Sequence, residues 1–232
     1  LMLTLSASAE LFLYKYEGTR LTYKIIDEKE RTCAVSLCGY VYGDVVIPEI
    51  AKNEDVAYRV IAIDNYAFSE SELKSIVIPE SVTEIGHSAF ESSYLLESVT
   101  LPSTITTIKY DTFNSCSSLT SISIPSSVTS IDEHAFYGCI DLSTVSLGES
   151  LESIGKEAFN NCTSLSSVSL PESLTDKEDQ LIAEHPDQKL IGEIYKFPRF
   201  KKILKAEYDK FMELQGIDWV NGLMEDFRAT IA

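Results

Sequence analysis

The stretch Leu119-Thr120-Ser121-Ile122-Ser123-Ile124-Pro125-Ser126-Ser127-Val128-Thr129-Ser130-Ile131-Asp132-Glu133-His134-Ala135-Phe136-Tyr137-Gly138-Cys139 decides the fold, because most of its positions recur at one fixed spacing along the chain. Its first leucine belongs to the series Leu73, Leu96, Leu119, Leu142 and Leu165, each 23 residues from the next. Three positions on come Ile76, Val99, Ile122, Val145 and Val168, and two further on Ile78, Leu101, Ile124, Leu147 and Leu170. Pro79, Pro102, Pro125, Gly148 and Pro171 follow, then two aliphatics, and then an Ala-Phe pair whose aromatic column is Phe68, Phe90, Phe113, Phe136 and Phe159. Thr112 alone breaks the alanine column.

Such a period means a solenoid. The alternating apolar residues after each leucine predict a short parallel strand with those side chains inward, and proline, lacking an N–H, ends the pairing. A single coil cannot bury its own apolar side, so the coils must stack, with phenylalanine filling each turn.

The quoted stretch resembles the BspA-type bacterial leucine-rich repeat, and the resemblance covers residues 60–174. It extends upstream, where Leu21 to Ile26, Val45 to Pro48 and Tyr58 to Ile63 are similar to the β-rich entry that often precedes such repeats. The resemblance implies a non-catalytic, secreted or cell-surface bacterial protein that recognises other proteins, adhesion to host or bacterial proteins being the leading expectation. The alternative is a structural or assembly scaffold whose partner docks on the C-terminal segment.

The flanks complete the expected architecture. Residues 10–59 hold short alternating runs broken by Gly18, Gly39 and Gly43, which predict a β-hairpin cap over the first coil. Residues 175–232 read as helical. Thr175-Asp176-Lys177-Glu178 forms a capping-box pattern. Phe200, Ile203, Leu204, Tyr208 and Phe211 then keep helical spacing, and Asp218 precedes Val220, Leu223, Phe227 and Ile231 on one face. The expected class is therefore an α+β leucine-rich-repeat solenoid: 23-residue coils, a parallel β inner wall, a β-hairpin N-terminal cap and a helical C-terminal cap or small module. Residues 1–9, an apolar run closing on Ala7-Ser8-Ala9, resemble the tail of a secretory signal. The competing reading is a first strand on which Leu1, Leu3 and Leu5 alternate.

Charge narrows the partners. Of a net −17, residues 61–174 hold −12, with 15 acidic and 3 basic side chains. So few cations cannot neutralise phosphates, which excludes nucleic acid and disfavours anionic lipid. Outside the possible signal no run is long and apolar enough to span a membrane. Lys196, Arg199, Lys201, Lys202 and Lys205 form a basic cluster that reads as a solvated helix face or as a site for an acidic partner.

No motif of catalysis or phosphate binding is present, and no cofactor or metal is implied. Cys116, Cys139 and Cys162 stand 23 apart. They would form a straight column, with outer members nearly 10 Å apart at a strand spacing of about 4.8 Å, too far to converge on one ion. Buried thiols tiling the turn are the expectation, and a Cys33–Cys38 disulfide is possible but not favoured. His87 and His134 stand three and two residues before their phenylalanines, so they share no column. What remains is the outward face of the inner wall, with Ser98 and Thr100, Ser121 and Ser123, Thr144 and Ser146, and Ser167 and Ser169 as candidate partner-binding residues. These hydroxyls read either as a binding face offering many modest hydrogen bonds or as a solvated face suited to strands. The lack of aromatics among them argues against a tight, hot-spot-driven interface.

Overall fold

A computed structural model describes residues 10–38, 41–165, 168, 169, 171, 173 and 174. Coils stack along two walls. The first wall contains β4 (Tyr42–Val46), β7 (Glu72–Val77), β9 (Ser98–Thr100), β11 (Ser121–Ser123), β13 (Thr144–Ser146) and β15 (Val168–Ser169). They pair in parallel as β4-β7-β9 and β11-β13-β15, with Thr120 N donating to Glu97 O between the two groups. The register keeps like with like: Ile76 opposite Val99, Ile122 opposite Val145, Val145 opposite Val168. The second wall is made of two-residue strands, β8 (Glu84–Ile85), β10 (Thr107–Ile108), β12 (Ser130–Ile131) and β14 (Ser153–Ile154), with β10, β12 and β14 in one parallel ladder.

Between the walls lies one continuous core. Phe68, Phe90, Phe113, Phe136 and Phe159 stack face to face, with centroids 5.1–5.4 Å apart and planes within 2–9° of parallel. Parallel strands in register impose this spacing, and aromatic pairs at such distances add about 0.5–1.5 kcal/mol each beyond their buried area. Thr112 occupies its alanine slot with its hydroxyl donated to Lys109 O at 2.7 Å, so the buried polar group is satisfied.

At the N-terminal end, β1 (Leu11–Tyr16), β2 (Thr19–Asp27), β3 (Thr32–Val35), β5 (Ile50–Asn53) and β6 (Val56–Ile63) form a sheet ordered β1-β2-β3-β6-β5. β1–β2, β2–β3 and β5–β6 are antiparallel, while β3 is parallel to β6 and β6 to β8. Phe12, Tyr23 and Tyr58 pack together inside it. This sheet feeds both walls: β6 leads into the second through Ile63 opposite Ile85, and β4 starts the first through Val45 opposite Ile76.

The α+β expectation is corrected by these elements. Every regular element among the described residues is a strand and none is a helix, so the class is a mainly-β leucine-rich-repeat solenoid. The physical reason lies in the turns. Tyr66, Ser88, Asp111, His134 and Glu157, two residues before each phenylalanine, have φ of 52–59°, and Glu70, Ser92, Ser115, Gly138 and Asn161, two residues after it, have φ of 57–70°. Two left-handed residues per turn interrupt any right-handed helix. Alternate amides bond across to the next coil, as Phe113 N does to Ala135 O at 2.8 Å, while Thr112 N and Asn114 N bond Lys109 O and Asp111 O within the turn. The helical C-terminal cap expected at 175–232 and the signal remnant expected at 1–9 lie outside the described residues.

Because Phe113 is fully buried with a ring on either side, Phe113→Ala is expected to cost about 3–5 kcal/mol. Urea denaturation followed by circular dichroism measures it. A cost below about 1 kcal/mol would show that the column does not hold the coils together.

Candidate functional site

Ser98 and Thr100, Ser121 and Ser123, and Thr144 and Ser146 all lie exposed on the first wall, either side of an inward aliphatic. Ser75 pairs with Ser98, Ser121 with Thr144, and Ser123 with Ser146, so the hydroxyls form two rows across the coils. Ser169 stands opposite Ser146 in the strand register, whereas Ser167 lies outside the described residues. Beside them Ser143 Oγ donates to Thr120 O at 3.1 Å.

The 23-residue period places Ser75 and Val77 on this wall but does not reach its first strand, β4. Asp44 sits opposite Ser75, whose hydroxyl donates to its carboxylate at 2.6 Å. Tyr42 on the same strand is 76% exposed, and Val77 on the next strand is 42% exposed. An aromatic, a carboxylate and an apolar side chain therefore join the hydroxyl rows at their N-terminal end. The signal was Val45-Val46-Ile47-Pro48, which matches the strand-proline motif. Its offset to Ile76 is 31 residues and not 23, because the β5–β6 hairpin is inserted in that coil.

The turns carry a second cluster. His87, Tyr110, His134 and Tyr137 form a chain of rings with centroids 6.5, 5.9 and 5.4 Å apart. His134 Nε2 lies 3.4 Å from Glu157 and 3.8 Å from Glu133, and its Nδ1 lies 3.9 Å from Asp111. The two histidines stand in different columns, as their spacing says, and Tyr110 bridges them in space.

The cysteines are free thiols, and Cys33 and Cys38 are not bonded to each other. Cys116, Cys139 and Cys162 are buried, each Sγ donating to the carbonyl of a phenylalanine 26 residues back, at 3.1–3.2 Å. Ser93 makes the same bond to Phe68 O at 2.8 Å. The column thus satisfies a carbonyl in each turn. Burial pushes Cys116 well above the usual thiol range; a hydrogen bond with Cys162, then burial, does the same to Cys139. Burial pushes Cys33 and Cys38 up to about 12. Among the described residues, no group of three or more His, Cys, Asp and Glu side chains could hold a metal ion.

This architecture matches a known family. The model of the BspA-type leucine-rich repeat region matches six copies over residues 60–186, more than half of the chain. The chain belongs to that family. Its fold is similar to that of the T. pallidum leucine-rich repeat protein, with a TM-score of 0.59 and 29% identity over 65% of this chain and 69% of that one. A leucine-rich repeat protein from Bacteroides ovatus ATCC 8483 is similar at a TM-score of 0.53 and 30% identity, over 68% of this chain. The alignment spans 48% of the B. ovatus chain. No curated protein matches. No helix among the described residues of this BspA-type chain is long and apolar enough to cross a membrane.

The thiols give a pH-dependent expectation. Unfolded thiols ionise near about 8.5, whereas native Cys33 and Cys38 keep their protons to about 12. Above about pH 8.5 the unfolded state binds fewer protons than the native one, so stability is full below that pH and falls as pH rises towards 12. Urea midpoints are expected to drop between pH 8 and 10, less steeply in Cys33→Ala. The three column thiols should react with a disulfide reagent only after denaturant is added. Labelling of that column in native protein would contradict their burial.

Proposed function

We propose that this chain is a non-catalytic protein-recognition module of a bacterial cell surface, an adhesin whose binding face is the hydroxyl wall. One observation carries the reading. Small exposed hydroxyls stand in register across successive parallel strands, each pair flanking an inward aliphatic, on a core that the phenylalanine stack holds still. Such a face approaches a partner backbone without bulky obstruction and offers many modest hydrogen bonds. Tyr42, Asp44 and Val77 give the face an aromatic, charged and apolar end, the kind of anchor that concentrates binding energy. Family membership supports the surface location, and display in many copies would multiply weak contacts into avidity.

Surface plasmon resonance of the full chain against host matrix and bacterial surface proteins tests this, beside Ser121→Arg with Ser123→Arg and Thr144→Arg, and separately Tyr42→Ala. Circular dichroism checks that the variants fold. The arginine variant is expected to lose affinity at least about tenfold, or 1.4 kcal/mol. Equal binding by parent and arginine variant would remove the wall as the site. Absence of any binding would leave the scaffold reading, with a partner docking on residues 175–232, as the alternative.

A further inference from the structure

The hydroxyl wall leaves unused the ring chain His87, Tyr110, His134 and Tyr137 on the turns. Tyr110 is 42% exposed and His87 is exposed. Rings so close together present π faces and edges to one stretch of surface, and carboxylates are interleaved with them. The charges of Asp111, Glu133 and Glu91 all act on the Tyr110 hydroxyl, raising its pKa, and Glu133 and Glu157 stand within 4 Å of His134. Cations are scarce here. Of the three lysines in residues 61–174, Lys109 pairs with Glu84, Lys156 pairs with Glu157, and Lys74 lies on the first wall. The ridge therefore keeps an excess of negative charge beside aromatic rings.

We propose that this ridge is a second interaction surface, which takes an arginine-bearing segment of a protein partner. Guanidinium is the group that meets both features at once. It stacks on an aromatic face by cation–π attraction, and its planar donors bond a carboxylate in a bidentate fork. The hydroxyl wall offers neither rings at this density nor such an arrangement, so the two surfaces address different partner chemistry. Occupation of one does not require the other.

The test uses the full chain carrying ¹³C in its tyrosine and histidine rings, titrated with the peptide Gly-Arg-Gly-Arg-Gly and with its uncharged citrulline counterpart. The arginine peptide is expected to shift the Tyr110, His134 and Tyr137 ring resonances, and the citrulline peptide to leave them in place. Tyr110→Ala with Tyr137→Ala should weaken the arginine peptide about fivefold or more, whereas Tyr110→Phe with Tyr137→Phe keeps the rings and most of the affinity. Glu91→Gln with Glu133→Gln should weaken binding by a similar factor. The charge-matched pair Glu149→Gln with Glu152→Gln, outside the ridge, should change it less than about twofold. Equal losses in the two charge-matched pairs would mean that the peptide feels only the overall negative field, and the proposal fails. It also fails if the ring resonances do not move or if citrulline binds as well.

Discussion

A coil of 23 residues encloses too little apolar surface to stand alone, and alternate amides of its turn find their acceptors only on the next coil, as Phe113 N does at Ala135 O. Both needs are met by the next coil, at a separation that the backbone ladder sets and the phenylalanine rings must accept. Rings 5.1–5.4 Å apart and nearly parallel satisfy that demand four times in succession. The left-handed residues on either side of the phenylalanines turn alternate amides towards the neighbour, and a thiol or serine behind the turn bonds a phenylalanine carbonyl. Packing and hydrogen bonding thus run in the same direction, along the stack. The end of the stack needs a cover, which at the N-terminal end is the mixed sheet around Tyr23.

This division of labour frees the surface. With inward positions committed to the core, positions between them on the first wall and in the turns can vary without cost to the stack. Register then makes each row a patch: a residue type repeated at one position becomes a continuous strip, as with the hydroxyls. A residue type scattered over adjacent positions of successive turns becomes a cluster, as with the ridge around His134. The hydroxyl wall favours a backbone-like partner surface, and the ridge favours cationic side chains.

The repeat, the two apolar faces, the phenylalanine column and the burial of Cys116, Cys139 and Cys162 were all determined by the sequence alone, because parallel coils in register convert a fixed spacing directly into contact. The outward pattern of Ser98, Ser121 and Thr144 follows from the same alternation. Three features were decided only by the tertiary structure. Tyr42 and Asp44 join the first wall through a coil lengthened by a hairpin, which a search at constant period passes over. The turns take left-handed residues and not helix, a choice made by hydrogen bonds to the adjoining coil that no local propensity reports. His87 and His134, out of column by one position, come together only because Tyr110 stands between them on adjacent coils. Periodicity carries contacts at a constant offset; where the offset changes, or the partner lies diagonally on the next coil, only the folded chain brings the residues together.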